Sequence, residues 1–295
     1  MKVLVSGATG LVGRYIVEGL LGDGYTVIAG SRTPPRPGLF SRPVGFTPLS
    51  LNPDLDQTDA FQDAAAFVHA AFDHLPGKYR GGEGEDPGRF HRLNLDGTVK
   101  LFETARRAGV HRTVFLSSRA VYDGLPAGTR LHEDLTLVPD SLYGQIKLQT
   151  EHALAELATS GFTTASLRMT GVYGSLRPNK WDGLFGDYLA GKPVTPRAGT
   201  EVHGADVVAA VRLMLQAEPQ LVSGQSFNLS DLVVDRRDIL GYLPTPAHAI
   251  LPPLADMSGL NIMDTGKIRS LGWHPGGKPL FARTMQLLAS GVSAA

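Results

Sequence analysis

The chain contains no cysteine among its 295 residues. Disulfide staples, thiol nucleophiles and cysteine-ligated metals are excluded at once. It has no surplus of charge either: 28 Lys and Arg stand against 28 Asp and Glu, a net charge of zero. Nucleic acids and anionic membrane surfaces attract proteins through an excess of positive charge, so neither is an expected partner. No run of 18 apolar residues occurs, which argues against a membrane-spanning helix. The opening Met1-Lys2-Val3-Leu4-Val5 turns polar at Ser6-Gly7, too early for a signal-peptide core, so a cytoplasmic location is the default expectation. The nine histidines form no H-E-x-x-H or H-x-H word, and the G-x-S-x-G elbow of serine hydrolases is missing. No metal site and no Ser–His–Asp hydrolysis are expected.

Glycine is what the chain has in abundance: 35 residues, well above the roughly 7% of an average protein. The excess has no period. It reads as tight turns and close backbone approaches in a globular chain that is 42% hydrophobic and 19% charged. Short apolar runs at 3–5, 26–29, 46–51, 66–69, 112–116 and 163–167 predict strands. Apolar spacing over 11–21, 95–108 and 142–158 predicts helices, the second closing at Gly109 and the third near Gly161. This alternation favours a parallel sheet with helices on both faces. After residue 170 the pattern loosens around Pro178, Pro193 and Pro196. A helix over 205–215 and a strand at 227–229 are expected to return to the main sheet, and Pro244, Pro246, Pro252 and Pro253 mark a loop-rich stretch. The stretches 33–43 and 76–88 read as mobile connections. The expected organisation is a nucleotide-binding domain over 1–170 and a substrate lobe over 171–295, with segments near 200–230 returning to the first.

Gly7-Ala8-Thr9-Gly10-Leu11-Val12-Gly13 lies between the first strand and the first helix. In a dinucleotide-binding turn the first glycine makes the tight turn and the second lets the backbone approach a pyrophosphate. The third lets the helix pack close to the sheet, and the helix N-terminus supplies free N–H donors. Gly7, Thr9, Gly10, Leu11, Val12 and Gly13 are therefore cofactor-binding candidates. Three glycines at this spacing are weak in so glycine-rich a chain; their placement carries the inference. At the end of the second strand, where a carboxylate would hold the ribose 2′-hydroxyl of NAD, the chain has Ser31-Arg32. A hydroxyl and a guanidinium accept a 2′-phosphate, so NADP is slightly preferred over NAD. The plainer alternative for Arg32 is a solvated charge, or a plane stacked on adenine.

Tyr143 and Lys147 are four apart on a predicted helix and share one face. Ser117-Ser118 ends the strand before that helix, and Asn94 opens the helix before it. With these in place the chain resembles the extended short-chain dehydrogenase/reductases of the NAD-dependent epimerase/dehydratase family. The matching words are Gly7-x-x-Gly10-x-x-Gly13, Val68-His69-Ala70-Ala71, Asn94-x-x-Gly97-Thr98, Phe115-Leu116-Ser117-Ser118-x-Ala120-Val121-Tyr122, Tyr143-Gly144-x-x-Lys147, Arg168-x-x-Gly171-Val172-Tyr173-Gly174 and Leu271-Gly272-Trp273-x-Pro275. They follow the family's order across nearly the whole chain.

The resemblance implies an α/β fold, a Rossmann-type doubly wound parallel sheet with a smaller C-terminal substrate lobe. It implies an NAD(P) cofactor, a small-molecule substrate and a homodimer that pairs the helices beginning near Asn94 and Leu142. Tyr143 would be the general acid/base on the substrate oxygen. A free phenol titrates at about 10, and Lys147 would lower that value while holding the nicotinamide ribose. Ser118, four residues before Tyr122, would bond the same substrate oxygen, and Asn94 would support the site. Ser31, Arg32, Ala70, Ala71, Ser117, Met169 and Val172 join the cofactor set; Phe72, Arg119, Tyr173 and Trp181 face the substrate. Plainer alternatives are a strand-end turn hydroxyl for Ser118, a helix cap for Asn94 and lobe core for Trp181.

Departures from the family pattern bear on the substrate. Sugar-nucleotide members carry an arginine shortly before the second-domain Asp, and another in an Arg-Pro-Gly-Asp word before the last Leu-Gly-Trp. Here that Asp is Asp206, the first arginine position falls on Gly199, and the second region reads Pro252-Pro253-Leu254-Ala255-Asp256. The missing arginines clamp a pyrophosphate in the family, and Arg197 and Arg283 are the nearby replacements. Ser117-Ser118-Arg119-Ala120 lacks the Asp-Glu pair of dehydratases, and Ser175 replaces the family's proline. The expectation is hydride transfer between NAD(P) and a hydroxyl or ketone carbon of a small or sugar-like substrate. Nucleotide-sugar 4-epimerisation or keto-reduction is the alternative. A non-catalytic NAD(P)-sensing regulator is the alternative of another class, and the intact Ser–Tyr–Lys set speaks against it. The loop 73–92, with His74, Lys78, Tyr79, Arg80 and Arg89, reads as a solvated insertion or, alternatively, a cap over the substrate.

Overall fold

A computed structural model describes residues 1–75, 78, 81–245 and 249–293. The chain begins β1 (Lys2–Ser6), α1 (Leu11–Gly22), β2 (Thr26–Ser31), β3 (Gly45–Pro48) and β4 (Ala66–His69). A helical stretch follows, made of α2 (Pro87–His91), a wide π turn (Arg92–Gly97) and α3 (Thr98–Arg107). Next come β5 (Arg112–Ser118), β6 (Arg130–Leu131), α4 (Leu142–Glu156), β7 (Thr163–Met169) and β8 (Gly171–Tyr173). The remainder is α5 (Asp182–Leu189), β9 (Ala198–His203), α6 (Gly204–Gln216), α7 (Pro219–Val222), β10 (Gln225–Leu229), β11 (Leu232–Asp235), α8 (Arg236–Leu240), β12 (Ile262–Met263), α9 (Gly266–Ser270) and α10 (Gly277–Ser293).

Seven strands form one parallel sheet in the order β10-β7-β5-β4-β1-β2-β3. The chain winds outward from β1 in one direction through β2 and β3, then in the other from β4 to β10. The reversal lies between β1 and β4, where ligands bind at the carboxyl ends of such strands. The strands form because their apolar residues alternate between two buried layers. Val3, Val5, Val27 and Val68 face α1 and α6. Leu4, Phe67 and Phe115 face the other way, against Phe61, Phe102 and Leu154. A second sheet, β11-β9-β8, carries its own core of Tyr173, Trp181, Phe185, Tyr188, Phe281 and Met285.

Of the segments expected to return to the first sheet, α6 packs on the α1 side and β10 pairs with β7, while β9 belongs to the second sheet. The helix expected from residue 95 begins earlier, at Pro87. Asp86 caps it, its Oδ1 accepting the Arg89 N–H at 2.8 Å, and proline fits the first helical position. Asn94 therefore sits inside the helical stretch rather than opening it. The π turn brings Gly97 against β3's outgoing chain, where a Cβ would lie 1.8 Å from the Leu51 carbonyl oxygen. The stretch 33–43 is irregular but tied to α1: Ser41 N–H donates to Glu18 at 2.8 Å and Arg42 to the Leu21 carbonyl at 3.1 Å. Pro76, Tyr79, Arg80 and Pro246 lie outside the described residues. Among the described residues no helix is long and apolar enough to cross a membrane.

Candidate active site

The turn from β1 into α1 is built by what its glycines lack. Gly7 has φ +64°, and a Cβ there would lie 2.8 Å from both the nitrogen and the Cα of Ala71. A Cβ on Gly13 would lie 2.1 Å from the Gly7 carbonyl oxygen. Gly10 N–H closes the turn on Gly7 at 3.0 Å, and no side chain caps α1. The first-turn N–H groups and the positive end of the helix dipole are thus left for an anion. This cradle fits a dinucleotide pyrophosphate.

The turn opens into a cleft of about 1960 Å³ at the switch point. Sites for one small ligand run roughly 300–1,000 Å³, so this one has room for a dinucleotide beside a substrate. Its lining includes Gly7, Thr9, Gly10, Leu11, Val12, Gly13, Ser31, Arg32, Ala70, Ala71, Ser117, Met169 and Val172, together with Ser118, Tyr143 and Lys147. Phe72, Arg119 and Trp181 line it too. At the β2 end, the Ser31 hydroxyl donates to the Thr33 carbonyl at 2.8 Å, while the exposed Arg32 guanidinium has no partner among the described residues.

Tyr143 and Lys147 lie on the inner face of α4, whose N-cap Ser141 accepts the Gly144 N–H at 3.1 Å. Gly144 is required there, since a Cβ would stand 2.3 Å from the Ala120 carbonyl oxygen. The Tyr143 ring meets Phe72 edge to face, with centroids 5.0 Å apart. Lys147 Nζ donates to the Leu116 carbonyl at 2.8 Å and lies 4.6 Å from the ring centroids of both Phe72 and Phe115. Burial pushes the ammonium down to about 7, opposed by the Glu151 carboxylate one turn further along α4. Ser118 Oγ accepts the Ala120 N–H at 3.1 Å, so it does cap a turn; its own O–H proton remains to be donated into the cleft.

A buried charged layer lies beneath these groups. Arg168 binds Glu151 through Nε at 3.1 and 3.0 Å and through Nη2 at 2.7 Å, and Nη1 donates to the Tyr122 hydroxyl at 2.8 Å. Glu151 also accepts from Ser226 at 3.0 Å and from the Ser117 hydroxyl. Ser117, a cofactor-binding candidate, therefore borders the cleft with its hydroxyl committed underneath to Glu151.

The structure places three further candidates away from, or only partly on, the cleft. Asn94 is buried and absent from the cleft wall: its Oδ1 accepts the Asp73 N–H at 2.7 Å, and Nδ2 donates to the carbonyls of Asp73 (2.8 Å) and Phe90 (3.0 Å). It caps no helix and is a positioning residue for the loop that bears Phe72. Tyr173 turns into the lobe core, stacked on Trp181 at 5.5 Å and edge-on to Phe281 at 5.7 Å, and does not line the cleft. Trp181 is largely core as well, with one edge on the cleft. His69 has both ring nitrogens occupied, by Ser6 at 2.8 Å and Thr98 at 3.1 Å, and burial pushes it down to about 3, so it stays neutral. No cluster of three potential metal ligands occurs among the described residues.

On the lobe side the structure adds a charged group, Glu201, that sequence reasoning passed over. Lys180 and Glu201 form an ion pair on the cleft wall, and Arg236 stands on the same wall, as does Arg197, one of the two arginines expected there. The signal was strand alternation: Gly199 and Glu201 share one face of β9, two residues apart.

The profile of the NAD dependent epimerase/dehydratase family matches residues 3–230. The UDP-glucose 4-epimerase of Mycolicibacterium smegmatis is 27% identical over 298 residues, covering 93% of this chain and 94% of that protein. The UDP-glucose 4-epimerase of Bacillus subtilis is 30% identical over 183 residues, 59% of this chain and 54% of its own. The mouse sterol-4-alpha-carboxylate 3-dehydrogenase, decarboxylating, is 30% identical over 184 residues, 60% of this chain and 47% of its own. The match thus spans about half the length of these last two relatives. Among solved structures, MoeE5 in complex with UDP-glucuronic acid and NAD has a TM-score of 0.78 at 26% identity, covering 99% of this chain and 100% of that one. The Thermus thermophilus UDP-glucose 4-epimerase complex with NAD has a TM-score of 0.75 at 25% identity, with both chains covered in full.

Proposed function

Because the chain belongs to the NAD-dependent epimerase/dehydratase family, and is thereby an NAD-dependent oxidoreductase, we propose that it moves hydride at a secondary hydroxyl or ketone carbon of a small or sugar-like substrate. The observation that carries this reading is the convergence of Ser118, Tyr143 and Lys147 on the cleft that the α1 turn opens into. A bound nicotinamide coenzyme would accept the hydride from the carbinol carbon, or return it to the ketone. In the oxidative direction Tyr143 takes the hydroxyl proton as the C–H bond breaks and the carbonyl forms. The net change is alcohol and oxidised coenzyme to ketone, reduced coenzyme and one proton. Ser118 donates to the same substrate oxygen and holds it against Tyr143. Lys147 would supply positive charge beside the phenol and donate to the coenzyme ribose. Gly7, Gly10 and Gly13 would admit the pyrophosphate.

The NADP preference rests on Arg32, whose guanidinium just past β2 has no partner among the described residues and suits a 2′-phosphate. Fluorescence titration with NADPH and NADH tests it, followed by a hydroxyl-compound panel read at the reduced-nicotinamide band. Tighter NADH binding would reverse the preference, and no binding of either would remove the reading. Epimerisation is the second reading, favoured by the Mycolicibacterium smegmatis relative, which matches along 93% of the chain. Interconversion of UDP-glucose and UDP-galactose without net reduced coenzyme would establish it. A cytoplasmic homodimer completes the proposal. Pairing of α4 with its copy would bring together the exposed Gln145, Gln149, His152 and Glu156, a polar face, and light scattering at micromolar concentration decides it.

A further inference from the structure

The face of α4 that holds Tyr143 and Lys147 carries a third polar residue. Glu151 follows Lys147 by four, as Lys147 follows Tyr143, so the three stand one turn apart along one line. The Glu151 side chain is 1% exposed and that of its partner Arg168 is 6% exposed. A buried ion pair adds little to stability over a well-packed apolar pair, because desolvating two charges offsets their attraction. Packing alone therefore does not account for this one.

The carboxylate ties α4 to three adjacent strands. Oε1 accepts the Ser117 hydroxyl from β5, Oε2 accepts the Ser226 hydroxyl from β10 at 3.0 Å, and Arg168 reaches both oxygens from β7. Ser117 and Arg168 are register partners in the β5–β7 ladder. Ser117 stands between Leu116, whose carbonyl receives the Lys147 ammonium, and Ser118. Arg168 also donates at 2.8 Å to the hydroxyl of Tyr122, the last residue of the turn that Ser118 caps. The groups around Lys147 are Tyr143 and Glu151 from α4, the neutral His69 from β4 and the rings of Phe72 and Phe115, while the Arg168 charge is bonded to Glu151. Among the described residues Glu151 is the group that opposes burial of the ammonium.

We propose that Glu151 is a positioning residue for the reaction: anchored by Arg168 and Ser117, it is the counter-charge that keeps Lys147 an ammonium beside Tyr143, and it fixes the strand end from which Ser118 projects. Glu151 acts only through these neighbours and touches neither substrate nor coenzyme. A positive Lys147 favours the phenolate form of Tyr143, the form that takes a proton from the substrate, and a negative Glu151 favours the positive Lys147. Arg168 supplies the bonds that hold Glu151 ionised in a layer away from water. The inference rests on the hydride-transfer reading of the cleft and extends its machinery beneath α4.

The test measures NADH affinity and proton uptake by titration calorimetry between pH 6 and 9, in two buffers of different ionisation enthalpy. Glu151→Gln keeps the shape and an acceptor for Ser117 and removes the charge. Lys147 should then lose its proton about one pH unit lower, and the curve of proton uptake against pH should move down by the same amount. NADH affinity should fall about tenfold at pH 8 and only about twofold at pH 6. Ser226→Ala removes a hydrogen bond to the same carboxylate but no charge, and should leave the curve in place. Glu151→Gln leaves the Arg168 charge unpaired, so Glu151→Gln combined with Arg168→Met is measured beside it, with melting curves on every variant. The double variant should regain stability yet keep the displaced curve. An affinity loss equal at both pH values, a curve restored in the double variant, or a wild type that takes up no proton overturns the proposal and leaves a structural strut. If wild-type binding takes up its proton and Tyr143→Phe is inactive while the Glu151→Gln curve stays in place, only this inference falls. If neither NADH nor NADPH binds the wild type, the underlying reading falls with it.

Discussion

The Lys147 ammonium reaches from α4 to the carbonyl of Leu116, near the carboxyl end of β5, and donates to it at 2.8 Å. The bond aims the charge at the cleft, and burial pushes the group down to about 7. Between that value and the ordinary lysine value of about 10.4 the folded chain binds fewer protons than the unfolded one. This group's contribution to stability therefore rises with pH across that window. A coenzyme whose ribose hydroxyls accept from the ammonium favours its charged form. NADH binding at pH 8 is expected to take up a fraction of a proton, measured by titration calorimetry in two buffers of different ionisation enthalpy. Lys147→Met should abolish the uptake. Equal uptake by the variant would assign the proton to another group.

In the proposed reaction Tyr143 and Ser118 would divide one task, and their variants should separate. Tyr143→Phe keeps the edge-on contact with Phe72 and loses only the hydroxyl. Coenzyme affinity should stay within a few-fold while kcat falls about 100-fold or more, the usual worth of a positioned general acid/base. Ser118→Ala removes the donor to the substrate oxygen and also the cap on Ala120, so a drop of about 1 kcal/mol in stability should accompany the loss of rate. Melting curves and steady-state kinetics on the same preparations check both. Unchanged turnover in Tyr143→Phe would remove that residue from the mechanism.

Local patterns carried the legible part of this molecule. Strands buried on both faces, glycines at a strand–helix turn, and a Tyr–Lys pair one turn apart are properties of short windows, and the cleft brings those windows together. What stayed hidden depends on long-range partners. Asn94 meets Asp73, 21 residues away, so its amide has no local signature. The Glu151–Arg168 layer lies beneath a helix whose outer residues give no hint of it. Tyr173 carries the family's motif tyrosine yet turns inward, because Trp181 and Phe281 offer it a core that β8 alone does not announce. The start of α2 was readable from Asp86-Pro87, a cap followed by a first-position proline, but the glycines at 81–88 drew the reading toward loop.

Gly7 gives the most direct check on the coenzyme cradle. Its φ of +64° alone makes alanine unfavourable by about 1–2 kcal/mol. The 2.8 Å approach to Ala71 adds a backbone clash that no side-chain rotation relieves. Gly7→Ala should weaken NADH binding at least tenfold and lower the melting temperature. Gly22→Ala is the control, since a Cβ there meets nothing within 4 Å and replaces glycine in the last turn of α1. It should melt at or above the wild-type temperature with coenzyme affinity intact. Equal effects in the two variants would mean that the turn does not hold the pyrophosphate.

Asp206 holds the start of the C-terminal helix, and its ionisation is predicted to work against the fold. Oδ1 accepts the Gly276 N–H at 3.0 Å, while Oδ2 is buried without a hydrogen-bond partner among the described residues. Burial, with Asp231 nearby, pushes the carboxyl up to about 6; the Gly276 N–H and Arg269 pull the other way. The folded chain then binds more protons than the unfolded one between an ordinary aspartate value of about 3.9 and that raised value. Stability from this group is therefore present at the acid end and is lost as pH rises through about 6. Asp206→Asn keeps the acceptor for Gly276 and removes the charge. The fall in melting temperature from pH 4 to 7 attributable to this group should flatten in the variant, and at pH 7.5 the variant should melt no lower than wild type, with a gain of about 2–4 °C for each kcal/mol recovered. Differential scanning calorimetry across that range checks the slope. A variant that melts lower at pH 7.5 with the slope unchanged would show that the carboxylate stabilises the helix start as an anion.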